Sequence, residues 1–210
     1  MKGFESMAEV RYGKWFEEGL NLFKKNAGIL ILATLIAVIL SGATAGILAG
    51  PMIAGMILIT LSLLDKPNEK VEVGHLFRGF QFFLDSLLFF FVWGIATVIC
   101  GLLVSFFPCV GQLAALFIVY VAQALLMFGM FLIVERGMNF WEASAESYRA
   151  VRTNFWHFLS FSAVAGLIGS IGLIACGIGV VLTLPIQACL ITVAYRDVFS
   201  HERISYTHSA

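Results

Sequence analysis

The interior of this chain lacks charge. All 13 Lys and Arg residues and all 13 Asp and Glu residues fall in four short blocks. The three stretches between the blocks carry none, and they are Ala27–Leu64, Ser86–Val134 and Thr153–Tyr195, with 38, 49 and 43 residues. A membrane-spanning helix needs about 20 apolar residues, so each stretch is about two such helices long. The missing charge excludes a soluble globular domain and predicts an integral membrane protein.

The chain crosses the membrane an even number of times in each stretch if two helices fill it, and it then returns to the side it left. We therefore predict an all-α integral membrane protein with six transmembrane helices as three hairpin repeats, with every charged residue on one membrane face. The repeat units are about 7–66, 72–136 and 140–197, a tail follows at 198–210, and residues 1–210 form a single membrane domain.

An amphipathic helix precedes each predicted hairpin, over Met7–Lys25, Glu72–Asp85 and Phe140–Arg152. Apolar residues recur on one helical face and charged residues on the other, a pattern typical of helices that lie at the headgroup level. Caps on the bundle and simple extensions of the spanning helices are the alternatives. The expected interfacial anchors are aromatic: Trp15, Phe16, Phe77, Phe80, Trp141 and Tyr148.

The first hairpin is short. Its 38 residues leave about 17 per helix, or roughly 25 Å, whereas the hydrocarbon core is about 30 Å thick. A re-entrant hairpin is therefore an alternative to a full crossing.

Cysteine is scarce, with four residues. Cys100 and Cys189 lie inside apolar runs and are expected to pack as small hydrophobic groups. Cys109 and Cys176 lie near predicted turns, where an extracytoplasmic location would permit a disulfide; two free thiols are the favoured alternative.

Enzyme motifs are also missing, since the chain has no Walker loop, HExxH, GxSxG or CxxC pair. We predict a non-enzymatic protein without a metal or other cofactor. Asp65, Glu135 and Asp197 recur where the hairpins end and could form a ring of carboxylates. Because Lys66, Arg136 and Arg196 stand beside them, local ion pairing is the favoured interpretation.

Two glutamines interrupt the apolar runs at matching places in the second and third units. Gln123 and Gln187 occupy these places, and Ile53 is their equivalent in the first unit. A buried amide is costly unless it is hydrogen-bonded. The favoured interpretation is helix packing, and the alternative is that both glutamines face a central cavity and bind a ligand.

The net charge is zero, which gives no reason to expect a nucleic-acid partner. The expected partners are membrane lipid and, as an alternative, another membrane protein or a second copy of this chain. The excess of Lys and Arg on one face over none on the other places that face, with both termini, in the cytoplasm.

The stretch Gly50-Pro51-Met52-Ile53-Ala54-Gly55, followed by Leu76-Phe77-Arg78-Gly79-Phe80, resembles a pattern in bacterial membrane proteins. These are six-helix proteins of unassigned role, similar to the membrane domain attached to some glycerophosphodiester phosphodiesterases. The resemblance covers roughly residues 13–85 and implies a prokaryotic cytoplasmic (inner) membrane protein. It does not imply phosphodiesterase activity, because this chain carries no phosphodiesterase domain.

The function expected from the sequence is that of a scaffold or accessory subunit that binds lipid or a partner protein. The alternative is a channel or carrier for an uncharged or amphiphilic small molecule. A continuous polar path through the glutamines would favour transport, whereas a dry interior of Leu, Phe and Gly would favour the scaffold.

Overall fold

The computed structural model describes residues 11–67, 70–107, 110–174 and 179–207, and only the backbone for 170–174 and 200–207. Every regular element in these described residues is helical. In chain order they are α1 (Tyr12–Ala43), α2 (Ala49–Asp65), the 3₁₀ helix η1 (Val73–Phe82), α3 (Phe83–Ser105), α4 (Val110–Leu126), α5 (Gly129–Arg136), α6 (Phe140–Arg152), α7 (Phe155–Ile174) and α8 (Val180–Thr207).

Several helices are compatible with a membrane. Among the described residues, four segments are long and apolar enough to cross one: Tyr12–Ala43, Val73–Ser105, Val110–Arg136 and Val180–Phe199. Ala49–Asp65 and Phe155–Gly169 are apolar but shorter. The protein is therefore a helical membrane protein, as its charge pattern predicts.

The predicted first surface helix is not separate from the first spanning helix. α1 runs from Tyr12 to Ala43 with one non-helical residue, Asn26 (φ −122°, ψ 20°). The Asn26 side chain donates a hydrogen bond to the Leu22 carbonyl at 3.0 Å, and such local side-chain bonds compete with helical geometry. The boundary between the charged and the apolar part of α1 is thus a kink.

The predicted second surface helix, Glu72–Asp85, is a 3₁₀ helix that ends at Phe82, and α3 begins at Phe83. In a 3₁₀ helix the side chains at i and i+3 eclipse one another. Accordingly, Phe77, Phe80 and Phe83 stack, with ring centroids 6.4 and 6.3 Å apart. Helical periodicity of 3.6 residues predicts a shared face here but not this ladder.

The second spanning helix of the middle unit is interrupted between α4 and α5, at Met127 and Phe128. Ser147 of α6 bonds to the backbone groups beside this interruption. Its hydroxyl donates to the Leu125 carbonyl (2.7 Å) and accepts from the Phe128 N–H (3.3 Å). Broken helices are tolerated in membrane proteins where neighbouring helices satisfy the freed backbone groups.

The predicted third surface helix is confirmed as a helix with the predicted bounds, Phe140–Arg152. Asn139 caps it by accepting a hydrogen bond from the Glu142 N–H at 2.9 Å, a preferred role for Asn. Asp85 of α3 accepts from the Phe140 N–H at 3.3 Å. Before the cap, Gly137 adopts a left-handed conformation (φ 63°), which glycine permits at the end of α5.

Adjacent helices pack in pairs, α1 with α2, α3 with α4 and α7 with α8, while α1 also packs along α8. The larger core cluster joins α5, α7 and α8 through Phe128, Phe131, Phe158, Phe161 and Tyr195. A second cluster lies between α1 and α2 and includes Leu30, Met52, Ile59 and Leu76.

Candidate functional site

The C-terminal ends of α2 and α5 meet at one guanidinium of α8. Arg196 of α8 donates to Glu135 at the end of α5 and to Asp65 at the end of α2. The Tyr195 hydroxyl donates to the other Glu135 oxygen. These partners are 61 and 131 residues away from Arg196 in the chain, so the cluster ties the C-terminal ends of α2 and α5 to α8.

Asp197, the third recurring carboxylate, has different partners. The Trp15 indole N–H donates to it at 2.9 Å and Lys14 lies 3.4 Å from it. A ring of three carboxylates is therefore not formed. The favoured prediction of local pairing is also wrong for Arg196, because it pairs with Asp65 and Glu135 and not with the adjacent Asp197. Neighbouring residues in a helix do not face each other.

Trp15, predicted as an interfacial anchor, lies in the core with 1% of its surface exposed. Its ring stacks on Phe158 (6.0 Å) and meets Phe161 edge-on (5.0 Å). Phe16 is half-buried and packs against Phe161. The N-terminal part of α1 thus packs its aromatic side against α7.

Four predicted anchors are exposed to the surroundings of the bundle. The exposed fractions are 49% for Phe77, 38% for Phe80, 65% for Trp141 and 45% for Tyr148. These positions allow contact with lipid, unlike that of Trp15.

The buried hydroxyls bond mainly to their own helices. Thr34 donates to the Leu30 carbonyl at 2.7 Å and Thr192 to the Ala188 carbonyl at 2.7 Å. Thr60 donates to Ile57, and its hydroxyl lies 2.8 Å from that of Thr192. In the described part of the chain these groups do not join into a polar path, and the interior between them is aliphatic and aromatic.

The two predicted glutamines both lie against α7. A Cβ built on Gly166 would lie 3.0 Å from the Gln123 amide oxygen, and one on Gly169 would lie 2.4 Å from that of Gln187. Each amide therefore rests against a glycine of α7, one turn apart. This close contact accounts for the absence of a side chain at Gly169.

Gln187 also lines a cavity of about 490 Å³ between α1, α2, α5 and α8. Ile53, the predicted equivalent of Gln187 in the first unit, also lines this cavity, from α2. Four methionines contribute to the lining: Met52, Met56, Met127 and Met130. Methionine is flexible and fills irregular space, so the lining can adapt its shape.

A second cavity, of about 500 Å³, is a groove on the side of the bundle between α3, α4 and α6. Its walls are almost wholly apolar and include Ala96, Phe117, Val121 and Leu125. On α3 it extends from Trp93 to Cys100, which is about 10 Å of helix. Many of its lining residues, including Phe117 (52% exposed), remain open to the surroundings. We call this cavity the aromatic groove.

Two tryptophans form one end of the aromatic groove. Trp93 and Trp141 stack with ring centroids 6.5 Å apart and an interplanar angle of 13°. The Trp93 indole N–H donates to the Ser144 hydroxyl at 2.8 Å, so the polar atom of this ring is satisfied within the protein. Trp141 is the second residue of α6, so this end of the groove lies beside a charged block.

Trp93 and Ser144 are site residues that the sequence analysis did not single out. A signal for Trp93 was available, since it lies within an uncharged stretch, eight residues after the charged Asp85. Its partner is 51 residues away, and that pairing depends on how α6 packs against α3.

The glycine motif behind the family resemblance forms a backbone seam between α2 and η1. A Cβ on Gly55 would lie 1.9 Å from the Leu76 carbonyl oxygen, and one on Gly79 would lie 2.1 Å from the Pro51 carbonyl oxygen. Real Cβ atoms do not approach so closely, so these positions require glycine. We call this contact the glycine seam.

Two of the four cysteines lie in the described part of the chain, and both are free thiols. Cys100 is exposed on α3 and Cys189 is buried, as a small hydrophobic residue would be. The disulfide considered between Cys109 and Cys176 involves two residues outside the described part of the chain. In the described ranges, no three His, Cys, Asp or Glu side chains come together as metal ligands.

Comparison of this chain with known proteins found no relative. No protein-family model, curated protein or solved structure matches this chain.

Proposed function

We propose that this protein is a non-enzymatic integral membrane protein that binds membrane lipid through the aromatic groove, as a scaffold or accessory subunit. The observation that carries the proposal is the groove itself: an apolar channel open on the side of the bundle with two stacked tryptophans at one end. The occupant is an acyl chain, because the lining offers it apolar contact along about 10 Å of helix.

The position of Trp141 supports a lipid in a defined orientation. An indole is favourable at the membrane interface, where one side of the ring is apolar and the N–H can bond to polar groups. Glu142 and Arg149 on the same helix are exposed, which favours headgroup depth for α6. An acyl chain would then enter at the Trp93–Trp141 pair and extend towards Cys100 and Phe117.

The interior supports binding over transport. The core between α5, α7 and α8 is packed with aromatic rings, and the buried threonine and serine hydroxyls bond within or between helices. A conduction path would need polar groups in succession. We extend the proposal to a prokaryotic inner membrane, with the charged helix ends and both termini in the cytoplasm, on the strength of the charge pattern and the family resemblance. The hairpins α3–α4 and α7–α8 would cross the bilayer fully.

A carrier for an amphiphilic small molecule is the second candidate, and one observation favours it. The methionine-lined cavity holds Gln187 together with Thr34 and Ser41, which gives an apolar ligand a few polar contacts. A carrier would move its ligand between compartments and depend on Gln187, whereas the lipid-binding proposal depends on the aromatic groove.

The test is lipid capture by the purified protein. The protein is reconstituted with a phospholipid that carries a photoreactive group in its acyl chain, and cross-linked peptides are identified by mass spectrometry. We expect cross-links on α3 and α4 inside the groove, reduced several-fold by Trp141→Ala.

The matched control is Trp156→Ala, which removes a tryptophan of similar exposure (71%) outside the groove lining. It should leave the groove cross-links unchanged. Equal losses in both variants, or cross-links spread evenly over all exposed helix faces, would contradict a specific site.

A further inference from the structure

We propose that the first hairpin, consisting of α1 after Asn26 and α2, does not cross the membrane but lies in the leaflet next to the charged helix ends. Its partner surface is the lipid of that single leaflet. The inference rests on the contacts at the two ends of α2 and is independent of what occupies the aromatic groove.

The C-terminal end of α2 belongs to the charged cluster. Asp65, its last residue, accepts from Arg196, which also bonds to Glu135. Asp65 and Lys66 are exposed. This end therefore lies at the headgroup level.

The N-terminal end of α2 also lies beside charged residues. A Cβ on Gly50 would be 2.6 Å from the Ser86 carbonyl oxygen, so α2 begins against the first turn of α3, next to Asp85. Through the glycine seam, η1 runs antiparallel along α2, and the exposed Arg78 lies directly before Gly79. A crossing helix would carry Arg78 and Asp85 away from the charged face.

A chain of contacts through α6, α7 and α1 connects Asp85 with the charged cluster around Arg196. It holds the first N–H of α6, and α6 leads within three residues to α7. The first turn of α7 is tied to α1, because the Tyr12 hydroxyl donates to the His157 carbonyl at 2.7 Å. Trp15, one turn further along α1, bonds to Asp197 beside Arg196.

If α2 crossed the bilayer, α6 would have to cross it too, in order to connect Asp85 with Tyr12. The exposed Glu142, Arg149 and Arg152 of α6 would then enter hydrocarbon. A charged side chain near the centre of the bilayer is costly because it loses its contact with water. A hairpin held in one leaflet avoids this cost and leaves α6 at the surface.

The outer side of η1 fits the same placement. Phe77, Phe80 and Phe83 form an exposed stacked ladder, and Arg78 lies beside it. Apolar rings with an adjacent cation are typical of segments that rest in the headgroup layer. The ladder therefore provides a second lipid contact for the one-leaflet hairpin.

The test is cysteine accessibility in right-side-out and inside-out vesicles. Single cysteines are placed in a variant without the four native ones. Gly42→Cys and Ile47→Cys report the tip of the hairpin, where a Cβ on Gly42 meets no atom within 4 Å and Ile47 is 50% exposed. Lys70→Cys marks the charged face and Val110→Cys, at the start of α4, marks the opposite face.

We expect a membrane-impermeant maleimide on the Val110→Cys side to label neither tip variant. Labelling of either tip from that side overturns the proposal, as does labelling of Val110→Cys and Lys70→Cys from the same side. If the tip is unlabelled from both sides, a fluorophore on Ile47→Cys is tested in vesicles with brominated lipid in one leaflet. Quenching from the Lys70→Cys leaflet supports the proposal, and quenching from the other leaflet overturns it.

Discussion

The glycine seam and the aromatic groove are built in opposite ways. In the seam, α2 and η1 approach so closely that a Cβ on Gly55 would overlap a backbone carbonyl. In the groove, α3, α4 and α6 leave a space of about 500 Å³ between them, lined by both large residues such as Trp93 and small ones such as Ala96 and Ala122. The seam leaves no room for a ligand and the groove does. The residues that form a recognisable sequence motif thus serve packing, whereas the proposed binding region has no motif.

The largest effect is expected from Gly55→Ala in the seam. Overpacking usually costs 1–3 kcal/mol, and since the added methyl meets backbone we expect about 3 kcal/mol or more. Thermal unfolding in detergent should show a fall in Tm of roughly 8 °C or more. Gly74→Ala is the control, because a Cβ there meets no atom within 4 Å; similar losses in both variants would mean that the seam is not tightly packed.

A smaller effect is expected from Ser147→Ala, which removes the hydroxyl that links α6 to the interruption between α4 and α5. The Phe128 N–H loses its partner, which costs about 1–3 kcal/mol when the group is buried. Hydrogen exchange should rise selectively at Phe128, and the attachment of α6 to the groove should loosen. An unchanged exchange rate at Phe128 would contradict the view that the Ser147 hydroxyl protects this N–H.

The smallest effect on stability is expected from Ala96→Leu, which adds apolar volume to the open groove. Surface substitutions of this kind usually change stability by no more than about 0.5 kcal/mol, so the Tm should stay close to that of the parent. Lipid cross-linking to the groove should nevertheless decrease. A large fall in Tm would show that the aromatic groove is tightly packed. The groove and the glycine seam would then not differ in packing.

The sequence was sufficient to predict a helical membrane protein and part of its local structure. Charge must stay with water, so the four charged blocks identify the apolar helices directly. Helix α6 was predicted with its bounds because its apolar residues recur with helical periodicity and its charged residues lie on the opposite face. These features depend on residues close together in the chain.

The remaining features depend on residues far apart. Trp15 has the sequence context of an interfacial anchor, yet Phe158 and Phe161 cover it, 143 and 146 residues later. Arg196 pairs across hairpins because its adjacent carboxylate points elsewhere. The aromatic groove arises from the spacing of three helices, and no local pattern reports that distance.

The arrangement at Arg196 also has a consequence for biogenesis. Asp65 and Glu135 are synthesised long before Arg196, the cation that joins them, so the helices from α1 to α5 are made before this cluster can form. A nascent chain that stops before residue 196 carries both carboxylates, Asp65 and Glu135, without the arginine that joins them. Final closure of this charged cluster therefore awaits synthesis of the last helix, α8.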